Sequence, residues 1–163
     1  MLKLRKNKKG FTLVELIVVI AIMAVLAGTI AGVTVSQLNK QTDKTGQSQA
    51  NTIAQFLSQC AMTGETSGED LIVTGDPAAF DSTELGKVLT KQYSSSSIKV
   101  LSTGTQERGE ILVSIVPTPA SGTDENAGKI KIYYKGKQSG TTGDVTYYVA
   151  VNGTITKANS LPN

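Results

Sequence analysis

Glu15 is the residue of this chain whose type and place most invite chemistry. It is a carboxylate at the head of an apolar run that continues to Val35, with no further formal charge from Leu16 to Asn39. An ionisable group inside a membrane-length apolar segment is costly, so it marks a functional site or reaches the interface to complement the helix dipole. Other reactive groups are sparse. The chain has no His, which removes imidazole bases, His-containing triads and His metal sites. Cys60 is the sole cysteine, so neither a thiolate cluster nor an intrachain disulfide can form. It comes after Ile53, Phe56 and Leu57 at helical spacing, which predicts a buried thiol on a core face. Glu65, Glu69 and Asp70 read as a solvated loop rather than an acid/base pair. Asp124-Glu125-Asn126-Ala127-Gly128 lacks the spacing of an EF-hand calcium loop. In Asn152-Gly153-Thr154 the glycosylation sequon is better explained as a turn. Neither an enzyme activity nor a cofactor is expected.

The element that must position Glu15 is a helix. From Phe11 to Val35 about fourteen residues are Leu, Ile, Val or Phe, which favours membrane insertion by roughly 4–8 kcal/mol against about 2.5–3.5 kcal/mol or less for Glu15. Lys3, Arg5, Lys6, Lys8 and Lys9 precede the run with no acid among them, which holds the N-terminus in the cytoplasm and places the chain beyond Val35 outside. Gly28 and Gly32 form a small-xxx-small pair within it. They suit close helix packing and local pliancy equally. From Ser36 to Ser48 the chain turns polar, and apolar residues return at 53, 56, 57, 60 and 61 with helical period. One helix over about residues 11–62, stopped by Gly64, would be roughly 75–80 Å long.

Beyond it, Leu71-Ile72-Val73 suggests a short strand. Asp81 with Glu84 resembles a capping box for a helix reaching about Gln92. Apolar or alternating runs at 98–101, 110–116, 129–134, 145–151 and 154–157 predict a mainly antiparallel sheet, with Asn152-Gly153 as a two-residue hairpin. Val145, Tyr147, Val149 and Val151 should share the face that meets the long helix. The fold class is therefore α+β: a long N-terminal helix, half transmembrane and half amphipathic, packed on a C-terminal antiparallel sheet.

Lys8-Lys9-Gly10-Phe11-Thr12-Leu13-Val14-Glu15 resembles the processing site of type IV prepilins: a short Lys-rich leader, a glycine, a phenylalanine, a glutamate four residues on, and an unbroken apolar helix. The resemblance implies that a membrane prepilin peptidase cuts after Gly10 and methylates the new amine of Phe11. It also implies that Glu15 pairs with that amine, its own or a neighbour's, during subunit assembly. Glycine suits the cut because a residue without Cβ lets the peptidase approach the backbone. The implied organisation is a leader over 1–10, a transmembrane and filament-core half over 11–35, an amphipathic half over 36–63 and a globular head over 64–163. The partners implied are other pilin subunits in a homopolymer, the assembly platform with its ATPases, and the membrane before assembly.

The pilin fold and a surface filament serving adhesion, twitching or gliding motility, or biofilm formation are the corresponding expectations. A minor pilin or a pseudopilin of a secretion or competence system shares the motif. The lone Cys60 departs from the disulfide-closed loop of many Gram-negative pilins and points to a Gram-positive source. A secretory signal peptide cut after Val25-Leu26-Ala27, or a plain single-span anchor bearing a binding module, is the alternative of another class. Without the leader, eleven cationic side chains face thirteen acidic ones, so net charge gives no argument for nucleic acid; a local patch is left open.

Overall fold

The computed structural model describes residues 10–63, 84–96, 98–102, 104–117, 124–138 and 140–158. The leader to residue 9, Gly64, the Leu71–Val73 run, Asp81 and the Glu65, Glu69 and Asp70 cluster lie outside the described residues. Among the described residues, two helices and five strands are arranged in the order α1 (Leu13–Thr63), α2 (Glu84–Tyr93), β1 (Val100–Leu101), β2 (Ile111–Ile115), β3 (Ile130–Tyr134), β4 (Val145–Val149) and β5 (Ile155–Ala158). The chain divides into two compact units, Met1–Gln37 and Leu38–Asn163, and α1 contributes to both.

In the second unit the sheet has the order β1-β2-β3-β4-β5. Pairing is antiparallel from β2 to β5. β1 instead runs parallel to β2, with Val100 opposite Ile111. The linker can fold back in so few residues because Gly104 and Gly109 adopt φ of 96° and 88°, which side chains with a Cβ rarely tolerate. Register builds three rows across the inner face: Ile111, Tyr134 and Val145; Val113, Ile132 and Tyr147; Ile115, Ile130 and Val149. These nine side chains join Ala50, Ile53, Ala54 and Leu57 of α1 and Leu85 and Leu89 of α2 in one apolar core. The sheet and the amphipathic part of α1 thus make the expected α+β packing.

The face that α1 buries includes Ile53 and Leu57 of its apolar pattern, with Phe56 and Ala61 packed at the margin, and extends beyond that pattern to polar and small residues. Asp43, Gly46, Ala50, Ile53, Ala54, Leu57 and Ser58 are buried, whereas Phe56, Cys60 and Ala61 are half-buried. Gly46, Ala50, Ala54 and Ser58 recur every four residues, so small side chains form a groove into which the large sheet residues fit. At Gly46 the Tyr134 ring occupies the place a Cβ would take. Cys60 is a free, half-buried thiol near Tyr93 rather than part of the core. Val151 is exposed and lies past the end of β4. It belongs to a three-residue loop with Gly153 at φ 81° and no non-glycine at positive φ among the described residues, which replaces the expected two-residue turn. Ala150 and Thr154 close that loop, and Ser58 Oγ of α1 donates to Gly153 O at 2.6 Å.

A second dock joins α1 to the link between β3 and β4. Asp43 is only 2% exposed, yet its carboxylate accepts from Tyr134 Oη at 2.9 Å, Lys137 N at 2.6 Å, Gln138 N at 3.2 Å and Gln138 Nε2 at 2.9 Å. Burial opposes its ionisation, but these donors outweigh burial and hold the carboxyl below the ordinary aspartate value. Burial and then the Asp43 hydrogen bond push the Tyr134 phenol upward, so it stays a donor. Gln47 Nε2 donates to Gly143 O at 2.9 Å, and Arg108 Nη1 donates to the carbonyls of Gly136, Gln138 and Gly140. Asp144 closes the link by accepting from Gly136 N at 2.7 Å and Tyr133 Oη at 2.6 Å.

Candidate functional site at the start of the long helix

Gly10 and Phe11 are exposed and lie outside the helix, which begins at Leu13 rather than at Phe11. The reason is Thr12, which acts as the N-cap. Thr12 N and Thr12 Oγ1 both donate to Glu15 Oε2, at 2.8 and 2.9 Å, while Glu15 N donates back to Thr12 Oγ1 at 3.3 Å. This reciprocal pair is a capping box, and it satisfies two of the amides that a helix start leaves without partners. The first helical bond, Leu16 N to Thr12 O at 3.3 Å, comes directly after it. Thr-x-x-Glu is the sequence signal for this cap, and weighing Glu15 only as a charge beside lipid passes over it.

Phe11 is 92% exposed, so almost none of its surface is covered. Phe11 precedes the cap and so lies outside the helix that carries Glu15. Glu15 keeps room for a further partner, because a carboxylate offers about four lone-pair positions and Thr12 fills two.

From Leu13 to Leu38 the apolar side chains are exposed, Ile17 and Val18 by half and Leu13 by 73%. The most apolar window of α1 has a mean hydropathy of 2.8 with none of it buried, long and apolar enough to cross a membrane. Its hydroxyls are turned inward: Thr29 Oγ1 donates to Leu26 O at 3.0 Å and Thr34 Oγ1 to Ile30 O at 2.8 Å. A surface without open donors suits surroundings that offer no water. Gly28 and Gly32 lie on this segment, and a Cβ at either would meet nothing within 4 Å. Glu15 and Thr12 are thus brought together, whereas the two glycines stand apart from them farther along the helix.

In the head, the Asp124 loop is held by its own side chains. Asp124 Oδ1 accepts from Asn126 N at 2.9 Å, and Lys129 Nζ donates to Asn126 Oδ1 at 3.1 Å. The ammonium therefore sits on one of the oxygens that a cation would need.

Residues 5–31 match the family described as prokaryotic N-terminal methylation motif, the leader signature of type IV prepilins. No curated protein and no solved structure matches the chain. The motif supports a type IV pilin-like or pseudopilin protein, implies processing by a prepilin peptidase, and indicates a family of structural proteins. Together with the apolar helix it is consistent with membrane anchoring before assembly.

Proposed function

We propose that the chain is the precursor of a type IV pilus subunit, the major pilin, cut after Gly10 and N-methylated on Phe11. The observation that carries this reading is the methylation motif over residues 5–31 opening an apolar helix whose side chains have no cover of their own. Exposed apolar surface of this extent is stable in lipid or against other apolar helices. The N-terminal segment, residues 11–35, occupies the membrane first and then the core of a filament, while residues 36–63 carry the head, residues 64–163. Glu15 uses its remaining lone pairs for the amine of Phe11, its own or that of a neighbouring subunit, and so neutralises two charges as the helix leaves lipid. Gly28 and Gly32 supply close approach or pliancy along that core. The assembly platform and its ATPases drive polymerisation, and the extracellular filament serves adhesion, motility or biofilm formation.

Mass spectrometry of the mature N-terminus tests the processing step. A first residue of methyl-Phe11 is expected, and a start at Gly28 would instead identify a secreted protein. Glu15→Ala is expected to be processed normally while yielding few filaments; wild-type filament yield would remove the assembly role. Electron microscopy of filaments sheared from the cell surface, compared with a deletion strain, separates a major subunit from a minor pilin or pseudopilin.

A further inference from the structure

The unit Leu38–Asn163 also contains a groove of about 600 Å³ between one flank of α1 and the end of α2. Apart from Lys44, every side chain lining it carries a hydroxyl or a carboxamide. The direction of their hydrogen bonds decides what the groove offers. Thr45 Oγ1 donates to Gln41 O at 3.0 Å and Thr52 Oγ1 donates to Ser48 O at 3.0 Å. Gln49 Nε2 donates to Tyr93 O across the groove. A hydroxyl whose proton is committed presents only lone pairs, and a carboxamide anchored through one N–H presents its oxygen and its second N–H.

Positions 45, 49 and 52 share one helical face, so α1 lines the groove with a row of three acceptor oxygens and the one remaining N–H of Gln49. Lys44 adds an exposed ammonium beside them. On the opposite side stands Tyr93, half-buried and tilted against Phe56 with ring centroids 5.7 Å apart.

A ligand that matches this surface brings many O–H donors at close spacing, C–H faces for the threonine methyls and the tyrosine ring, and a negative group for Lys44. We infer that the groove binds an oligosaccharide that bears a carboxylate. Donor-rich amines fit the acceptors equally but are repelled by Lys44, and a free phosphate leaves the acceptor row facing acceptors. The inference concerns the unit Leu38–Asn163 alone and holds whether or not the chain polymerises.

The test uses the detergent-solubilised full-length chain on an array of neutral and uronic-acid oligosaccharides, followed by titration of the retained sugars. Retention is expected to favour the uronic-acid members. The double variant Thr45→Val, Thr52→Val keeps shape while removing two acceptors, and is expected to bind at least tenfold more weakly with an unchanged melting temperature. Lys44→Gln is expected to erase the preference for acidic over neutral sugars and to leave neutral binding intact. No retained saccharide, or equal binding by the double variant, would overturn the inference. So would protection of Lys44 from amine labelling on self-association of a chain that ignores sugars, since the groove would then belong to a second copy. Failure here leaves N-terminal processing untouched, so it is distinguishable from failure of the pilin reading.

Discussion

Residues 13–37 and residues 38–63 share one helical assignment and differ in almost everything a helix can bury. The first stretch has apolar side chains on all sides, and all of them are exposed. The second is more polar, yet seven of its residues are buried along a single face that starts at an aspartate. Hydrophobicity therefore does not decide which half the chain covers; one-sidedness does. A helix apolar all round needs apolar surroundings all round, whereas a helix with one small-residue face needs only one sheet. Residues 38–63 have that sheet, whereas residues 13–37 are exposed.

Truncating a leucine in each half is the strongest way to break this contrast. Leu57→Ala, at 0% exposure, is expected to cost about 2–5 kcal/mol in denaturant unfolding of the head. Leu26→Ala, at 53% exposure, should shift the same transition by less than about 0.5 kcal/mol. Equal losses would mean that the exposed half packs on the head after all.

Asp43→Asn is the next largest expected effect. It leaves amide hydrogens facing donors, and a loss of about 1.5–3 kcal/mol is expected from the weakened charge-assisted bonds. Because the folded carboxyl is held below its ordinary value, wild type should keep its full advantage above the ordinary aspartate value of about 3.9. The advantage should vanish as pH falls through the lower folded value. Melting temperatures of the two proteins that run parallel from neutral pH to pH 2 would sink this account.

Glycine substitutions sharpen the contrast by reversing its sign. Gly28→Ala meets open space and should stabilise its helix by up to about 1 kcal/mol through better propensity. Gly46→Ala drives a methyl into the Tyr134 ring and should lose about 1–3 kcal/mol through overpacking, most of it surviving the propensity gain. Helical circular dichroism on heating reads both. A stabilised Gly46→Ala would show that the ring yields freely.

The strands were legible because alternation in Ile111–Ile115 and Ile130–Tyr134 states which side chains turn inward, and register then aligns them into rows. The apolar run and its basic flank were legible because composition alone carries them. Of the docked face of α1, Ile53 and Leu57 were legible and its start at Asp43 and Gly46 was not. Asp43 and Gly46 fall in the stretch that reads as polar, and their partners lie 88 or more residues away in sequence, as in the Asp43–Tyr134 bond and the Gly46–Tyr134 contact. No local pattern encodes a carboxylate that turns buried because a distant loop brings its amides. Asn152-Gly153 misled in a smaller way: the pair does mark a hairpin, but glycine alone takes the left-handed conformation, so Val151 joins the loop instead of the strand.

Thr12 has a consequence for the proposed cut after Gly10. By fixing where coiling starts, it keeps the bond between Gly10 and Phe11 on uncoiled chain, free of the ladder that begins at Leu16. A protease cutting there has no turn to unravel before its catalytic groups reach the carbonyl, and the rod downstream survives severance with its own lid still on.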